Sequence, residues 1–219
     1  MIITATEVNA LGRTPKGQLF QFQSSNGASA GQYLSSDKQP ISILQCYQTA
    51  EQFQWLVHVE SDAVIVSGQQ LILHGKAVEI NLSEPSYILC EGMGIGIFLH
   101  WLDCYRQTVG ENQARKFCHR VFFYETEAFF FTPTPSEILT PELPDNMIAA
   151  IPLLDDLGIP SRLCCGKFRP GCFEGDLTLL AEELSTQIPW LGLVENKTVQ
   201  SLNEKLGEAA QLLDISKSI

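Results

Sequence analysis

The hydrophobic pattern changes character near Ser83–Pro85. Before this point, short runs rich in β-branched and aromatic residues alternate with turns that contain glycine, proline or serine. Short strands at regular spacing predict a small antiparallel β-barrel or sandwich. The predicted strands are Met1–Thr6, Gln18–Gln23, Ile41–Tyr47, Phe53–Val59, Ala63–Val66 and Gln70–Leu73.

After this point, strand-like and helix-like patterns alternate, which predicts an α/β domain with a parallel sheet. The predicted strands are Tyr87–Cys90, Arg120–Tyr124, Ser161–Cys165 and Trp190–Glu195. Apolar residues at helical spacing predict helices that include Ile97–Tyr105, Asn146–Leu157, Asp176–Ser185 and Val199–Leu213. We therefore divide the chain into a β domain at 1–82 and an α/β domain at 83–219.

Composition narrows the functional class. Of the 219 residues, 45% are hydrophobic and 18% are charged, which is typical of a globular protein. The net charge of −11 would repel a phosphate backbone, so we expect no nucleic-acid partner. We also expect no membrane span and no secretory signal, because no apolar run has the required length and the start lacks a basic stretch before an apolar one. Seven cysteines without a CxxC pair fit a cytoplasmic protein.

The segment YILCEGMGIGIFLHWL carries the strongest functional pattern. Gly92, Gly94 and Gly96 stand where a buried strand turns into a helix, so free N–H groups and the helix dipole would face a pyrophosphate. The alternative is a tight βα turn without a ligand. The spacing is not that of the usual dinucleotide fingerprint, because Gly96 comes one position early. Glu125 and Glu127, after the next strand, would meet a ribose hydroxyl or simply face solvent.

Several motifs, in this order along the chain, together resemble the ferredoxin reductase-like flavoproteins. Gln39–Ile43 resembles the flavin-binding RPYSI strand, and Gly92–Phe98 resembles GTGIAPF. Gly31–Tyr33 is similar to the PGQY segment, and His74–Lys76 falls at the glycine-containing turn that closes the barrel. Gly171–Thr178 looks like the stretch G-x-K-G-x-V-T of the branch that contains the electron-transfer subunit of dihydroorotate dehydrogenase.

The resemblance implies a two-domain fold, with an FAD-binding barrel before an α/β domain that binds NAD(P)H. It places FAD at Gln39, Pro40, Ile41 and Ser42. It places the pyridine nucleotide at Gly92, Met93, Gly94, Ile95 and Gly96. The implied function is an NAD(P)H-dependent flavin oxidoreductase, or its electron-transfer subunit, that passes electrons from NAD(P)H through FAD to a protein partner.

Several positions depart from that family. Gln39 replaces the arginine that pairs with the FAD pyrophosphate, Ile41 replaces the tyrosine that packs on the flavin, and Ile97 replaces a proline. No cysteine lies near Leu193–Glu195, and the chain ends without the cysteine cluster of the dihydroorotate branch. The alternative hypothesis is therefore a non-catalytic scaffold of this fold that binds a protein partner.

Other candidate residues support simpler interpretations. Cys164, Cys165 and Cys172 are close in sequence, but adjacent cysteines on a strand face opposite ways, so we expect buried or redox-sensitive thiols rather than a metal site. Arg162, Lys167 and Arg169 make this stretch locally basic. We expect ordinary roles for the histidines and identify no nucleophile–base pair. The run Phe129–Phe131 predicts burial, with an exposed partner-binding patch as the alternative.

Overall fold

The computed structural model describes residues 1–29, 31–36, 39–60, 62–80, 82–184, 187–207 and 210–215. These residues form two compact units. The first contains the described residues within 1–80 and 96–108, and the second contains those within 82–95 and 109–215. The division of the chain at residue 82 stays a prediction.

The first unit contains a seven-stranded antiparallel sheet. Its strands are β1 (Ile2–Thr4), β2 (Thr6–Thr14), β3 (Gly17–Ser24), β4 (Tyr33–Ser36), β5 (Gln39–Gln48), β6 (Phe53–Glu60) and β7 (Gln70–His74). The strand order is β1-β7-β4-β5-β6-β3-β2, so the sheet is a half-barrel with β1 and β2 at its edges. Alternate side chains of the central strands fill one core, for example Phe20 and Phe22 of β3 and Trp55 and Val57 of β6.

The second unit contains a six-stranded parallel sheet with the order β13-β12-β9-β8-β14-β15. Its strands are β8 (Ser86–Glu91), β9 (Cys118–Glu125), β12 (Ser161–Cys165), β13 (Phe173–Glu174), β14 (Trp190–Val194) and β15 (Ala210–Asp214). Two further short strands, β10 (Thr134–Pro135) and β11 (Ala149–Ala150), pair with each other. Within the described residues, the helices are α1 (Met93–Val109), α2 (Glu111–Phe117), α3 (Pro152–Asp156), α4 (Leu177–Glu183) and α5 (Asn196–Leu206).

The central strand of the parallel sheet, β8, sets the position of the glycine turn. All six of its residues are buried, as its apolar sequence predicts for a strand covered on both faces. From β8 the chain fills one side of the sheet through β9, β12 and β13, and then returns to fill the other side through β14 and β15. The boundary between β8 and β14 is therefore the topological switch point of the sheet, where ligands bind in open α/β folds.

The predicted fold class, an antiparallel β domain followed by an α/β domain with a parallel sheet, is confirmed. Five of the six predicted β runs contain strands, but Ala63–Val66 is irregular, and the prediction of a strand there was wrong. Ile65 alone is buried in this stretch, while Val64 and Val66 are each 58% exposed. A stretch with strand-like composition forms a β-strand only when another strand pairs with its backbone.

Two helix predictions were wrong in part. Asn146–Leu157 contains a helix only from Pro152 to Asp156, because Ala149 and Ala150 pair with the strand Thr134–Pro135. Helix α5 ends at Leu206, where Gly207 takes a positive φ of 56°. Residues 210–213 then belong to the parallel strand β15. Ser185 and Ala209, which also belong to predicted helices, lie outside the described residues.

The sequence patterns missed β2, β4 and α2, and also the two-residue strands β10, β11 and β13. Strand β2 carries mostly polar and exposed residues at the edge of the sheet, so its burial alternation is weak. The predicted burial of the run Phe129–Phe131 is confirmed for Phe129 and Phe130, with exposures of 1% and 8%, whereas Phe131 is half-buried. None of the helices in the described ranges combines the length and apolar character that a membrane crossing requires.

Candidate functional site

The glycine turn joins β8 to α1 at the carboxyl edge of the parallel sheet. Gly92 has a φ of 55°, a conformation that favours glycine, and its carbonyl accepts a hydrogen bond from the Ile95 N–H at 3.1 Å. The Gly92 N–H in turn donates to the carbonyl of Tyr124 at 3.4 Å. Gly92 is therefore required by the turn itself.

Gly94 and Gly96 have separate packing reasons. A Cβ on Gly94 would collide with the carbonyl oxygen of Leu193 in β14. A Cβ on Gly96 would lie 3.2 Å from the Cβ of Ser42, and both residues belong to the first unit. Ile95, which lies between them, is fully buried, and Met93, which precedes Gly94, is half-buried. Close approach of the helix to its neighbours thus accounts for both glycines without a ligand.

A polar cleft of about 290 Å³ lies at the carboxyl edge of this sheet. It is lined by residues from the ends of β8 and β9 and from the first turns of α4 and α5, namely Glu91, Tyr124, Asp176, Thr178, Lys197, Thr198 and Ser201. Asp176 is the N-cap of α4, where its Oδ1 accepts from the Thr178 and Leu179 N–H groups, each at 2.9 Å.

Glu91 is the last residue of β8, and it is only 5% exposed. Its Oε2 accepts a hydrogen bond from the Thr198 hydroxyl at 2.6 Å and another from the Glu195 N–H at 3.2 Å. Both donors belong to the amino end of α5, whose N-cap is Glu195. The carboxylate of Glu91 therefore caps this helix from a strand about a hundred residues earlier in the chain.

Lys197 is the single cation that lines this cleft within the described residues. Its Nζ lies 3.4 Å from Glu195 Oε2 and 3.9 Å from Glu91 Oε1, and the two carboxylates raise the pKa of the lysine. Its side chain is 72% exposed, so solvent screens these ion pairs. With Glu91, Asp176 and Glu195 close by, the cleft holds more negative than positive charge.

The predicted flavin strand lies at the start of β5. Gln39 and Pro40 are exposed, Ser42 is half-buried, and Ile41 is 1% exposed within the core of the first unit. Ile41 pairs with Val59 of β6, and Ser42 pairs with His58. A second cleft, of about 240 Å³, is lined by Ser36, Gln39, Ile41, Val59, Ala63, Val64, Ile65 and Gln69.

The clustered cysteines are buried thiols. Cys164, Cys165 and Cys172 are at most 7% exposed, and Cys165 and Cys172 hydrogen-bond to each other. Burial raises the pKa of Cys165 and raises that of Cys172 to about 12, so both thiols stay protonated near neutral pH. Within the described residues, no group of three or more potential ligands is placed to hold a metal ion.

The two clefts fit their implied cofactors to different degrees. The strand at Gln39–Ser42 offers a neutral amide and a hydroxyl, which suit the polar groups of a flavin but supply no charge for its diphosphate. At the glycine turn, the first turn of α1 carries no acidic residue. If Gly92 had a Cβ, the one described atom within 4 Å of it would be Glu195 Oε1, at 3.8 Å. The amino end of α1 therefore leaves open space beside Gly92 for a nucleotide phosphate, with the Glu195 carboxylate at its rim, whereas Glu91 occupies the amino end of α5.

The structure brings the predicted residues Gly92–Gly96 to the switch point, together with residues that the sequence did not indicate. Glu91, Lys197 and Asp176 were missed because their partners lie far away in the chain or in later helices. The repeated Asp/Thr and Glu/Thr arrangement at the starts of α4 and α5 is the one local pattern that points to helix amino ends there. The predicted roles of Gln39–Ser42 and Gly92–Gly96 stay predictions.

Comparison with known proteins supports the fold. No protein-family model matches the sequence, and no curated protein matches it. Among solved structures, the cytochrome P-450 reductase GcoB of Amycolatopsis matches over 98% of this chain and 70% of its own, with 9% identity and a TM-score of 0.60.

Two further structures give the same result. The flavohemoglobin of Malassezia yamatoensis, with bound FAD and heme, matches over 96% of this chain and 59% of its own, with 12% identity and a TM-score of 0.51. The ferredoxin-NADP+ reductase of Plasmodium falciparum, with 2′P-AMP, matches over 97% of this chain and 95% of its own, with 7% identity and a TM-score of 0.51. At these identities the likenesses show the fold alone, and that fold is the two-domain one of ferredoxin reductase-like flavoproteins.

Proposed function

We propose that this chain is an NAD(P)H-dependent flavin oxidoreductase, or the electron-transfer subunit of one, which passes electrons from NAD(P)H through FAD to a protein partner. The observation that carries the proposal is the glycine turn at the switch point of a reductase-like α/β sheet, beside an open cleft. The nucleotide and flavin bound by the structures of similar fold support the same chemistry. The membership in the dihydroorotate dehydrogenase branch and the cytoplasmic location belong to this proposal.

In this proposal, each unit holds one cofactor. Gln39 would donate its amide hydrogens, and Ser42 its hydroxyl, to FAD along β5. Gly92 would let the nucleotide approach the backbone, and the amino end of α1 would stabilise its phosphates. FAD, when bound, would supply hydride acceptance and electron release, and the residues of this chain would bind and orient the reactants.

A titration with FAD tests the flavin site directly. We expect the purified protein to bind FAD and to show a flavin absorption band after removal of free cofactor. Gln39→Arg would place a cation at the strand that lacks one, so we expect about tenfold tighter FAD binding, in line with charge-assisted hydrogen bonds to phosphate. Gln48→Arg, at the exposed far end of the same strand, is the matched control and should leave FAD affinity unchanged.

The outcomes separate the two hypotheses. Protein that stays colourless with FAD, both as the natural chain and as Gln39→Arg, would contradict the reductase function. That result would support the alternative, a non-catalytic scaffold that binds a protein partner. Equal tightening by Gln48→Arg would show a general charge effect and remove the assignment of Gln39.

A further inference from the structure

Glu91 places a carboxylate where phosphates bind in open α/β sheets. The residue ends β8 directly beside Gly92, and its strand pairs with β14 through Cys90 and Leu193. The crevice between these two strands is the topological switch point. The rest of β8 is uncharged, so Glu91 is the one ionisable carboxylate that the strand carries into this crevice.

The carboxylate makes the contacts that a ligand phosphate would make at a helix amino end. It accepts hydrogen bonds from the Glu195 N–H at 3.2 Å and from the Thr198 hydroxyl at 2.6 Å. These donors begin α5, which has 11 residues and carries partial positive charge at this end. An anion is stabilised at such a position, and here the protein supplies that anion itself.

The surrounding charge does not offset this carboxylate for an incoming anion. Lys197 lies near both Glu91 and Glu195, so its positive charge is shared between two negative side chains. Asp176 lines the same cleft and adds a further negative charge. A diphosphate that approached α5 would meet an occupied helix end and like charges in a half-open cleft, where water screens them incompletely.

We propose that the Glu91 carboxylate occupies the amino end of α5, where a ligand phosphate would otherwise bind, and so limits the affinity of this chain for nucleoside diphosphates. The phosphates of a pyridine nucleotide would then bind at the amino end of α1 instead. Glu91 is in this sense an affinity-determining residue, because its charge weakens binding of the diphosphate. The inference rests on the proposed function only for the identity of the nucleotide.

Replacement of Glu91 by neutral residues tests this role. Glu91→Gln keeps the shape of the side chain and an acceptor oxygen but removes the charge. Glu91→Ala also removes the group that occupies the amino end of α5. We expect both variants to bind ADP and NADH at least about tenfold more tightly than the natural chain, measured by calorimetry. The gain should shrink at high salt, because screening weakens charge repulsion. Glu204→Gln, exposed on the same helix, is the matched control and should change affinity little.

Two further measurements make the outcome decisive. Thr198→Val removes one hydrogen bond to Glu91 and keeps its charge, so it should not reproduce the gain of Glu91→Gln. Thermal unfolding of every variant verifies that the fold persists. If Glu91→Ala does not fold, the nucleotide affinity of Glu91→Gln alone tests the inference. Equal affinity of Glu91→Gln and the natural chain for ADP, including no binding by either, would overturn the inference. FAD binding by the same samples is independent of this result and decides the proposed function separately.

Discussion

Among the described residues, His100 is the one with two buried side-chain nitrogens that lack a hydrogen-bond partner. It lies on α1 with 0% exposure, and neither of its ring nitrogens has a hydrogen-bond partner within the described structure. Burial lowers its pKa from 6.5 to about 4, because the charged imidazolium would lose its hydration. A neutral histidine in this environment still leaves a donor and an acceptor unpaired, which costs stability.

His100→Leu should therefore make the protein less sensitive to acid. Between pH 6.5 and 4, His100 is protonated in the unfolded chain but not in the folded chain. The free energy of unfolding therefore falls as the pH falls through this window. Leucine removes that loss, which amounts to about 3 kcal/mol at the acidic end. Urea unfolding at several pH values measures it. His58, whose pKa burial also lowers to about 4, keeps part of the slope.

A constant difference in unfolding free energy between His100→Leu and the natural chain across this pH range would contradict the assignment. A difference that widens as the pH falls would support it. The leucine variant should also be no less stable at neutral pH, because an apolar side chain of similar size leaves no polar group unpaired.

The glycine string shows how far residue patterns predict a site. Gly92, Gly94 and Gly96 were evident in the sequence because a turn and two close approaches of a helix depend on local glycines. Glu91 was not evident, since the contacts that give it meaning come from residues 104 and 107 positions later in the chain. A sequence reveals the requirements of a turn more readily than the charge of the crevice beside it.

At the scale of elements, the junction of α1 and β14 depends on Gly94. The helix passes so close to the carbonyl of Leu193 that a methyl group at position 94 does not fit. Gly94→Ala should lower the free energy of unfolding by about 1–3 kcal/mol, the usual cost of overpacking. Urea unfolding measures the change.

Met93→Ala is the control for this prediction, because it alters the same helical turn without adding atoms. It should cost less than about 1 kcal/mol, as is usual for a half-buried position away from such a contact. Equal stability of Gly94→Ala and the natural chain would show that the helix moves away from β14 without cost.

Element boundaries were predicted well where the apolar run and the turn residues indicate the same end point, and poorly where a turn residue interrupts an apolar run. Strands β8 and β9 contain apolar runs that end at Glu91 and Glu125, and the structure places strands there. The short run Ser161–Cys165 also forms a strand, as predicted. The apolar spacing of Val199–Leu213 fits a helix throughout, yet Gly207 ends α5, and residues 210–213 pair with β14. The parallel partner of that strand comes from elsewhere in the chain, so local periodicity could not predict it.

At the scale of the whole molecule, the net charge bears on which partners the surface favours. A net charge of −11 favours association with a basic protein surface and disfavours polyanions. The two-unit fold, matched over 98% of this chain by a reductase, has a cleft at the start of β5 in the first unit and a polar cleft at the carboxyl edge of the sheet in the second unit. Fold class was thus predictable from the order of patterns along the chain, whereas cofactor use depends on a few side chains and must be measured.

An anaerobic titration of the FAD-loaded protein with NADH tests the central claim most directly. The proposed function predicts that the flavin absorption band bleaches as NADH is added and returns when an electron acceptor or oxygen is admitted. A flavin that stays oxidised under excess NADH and NADPH, or a protein that retains no flavin at all, would contradict it.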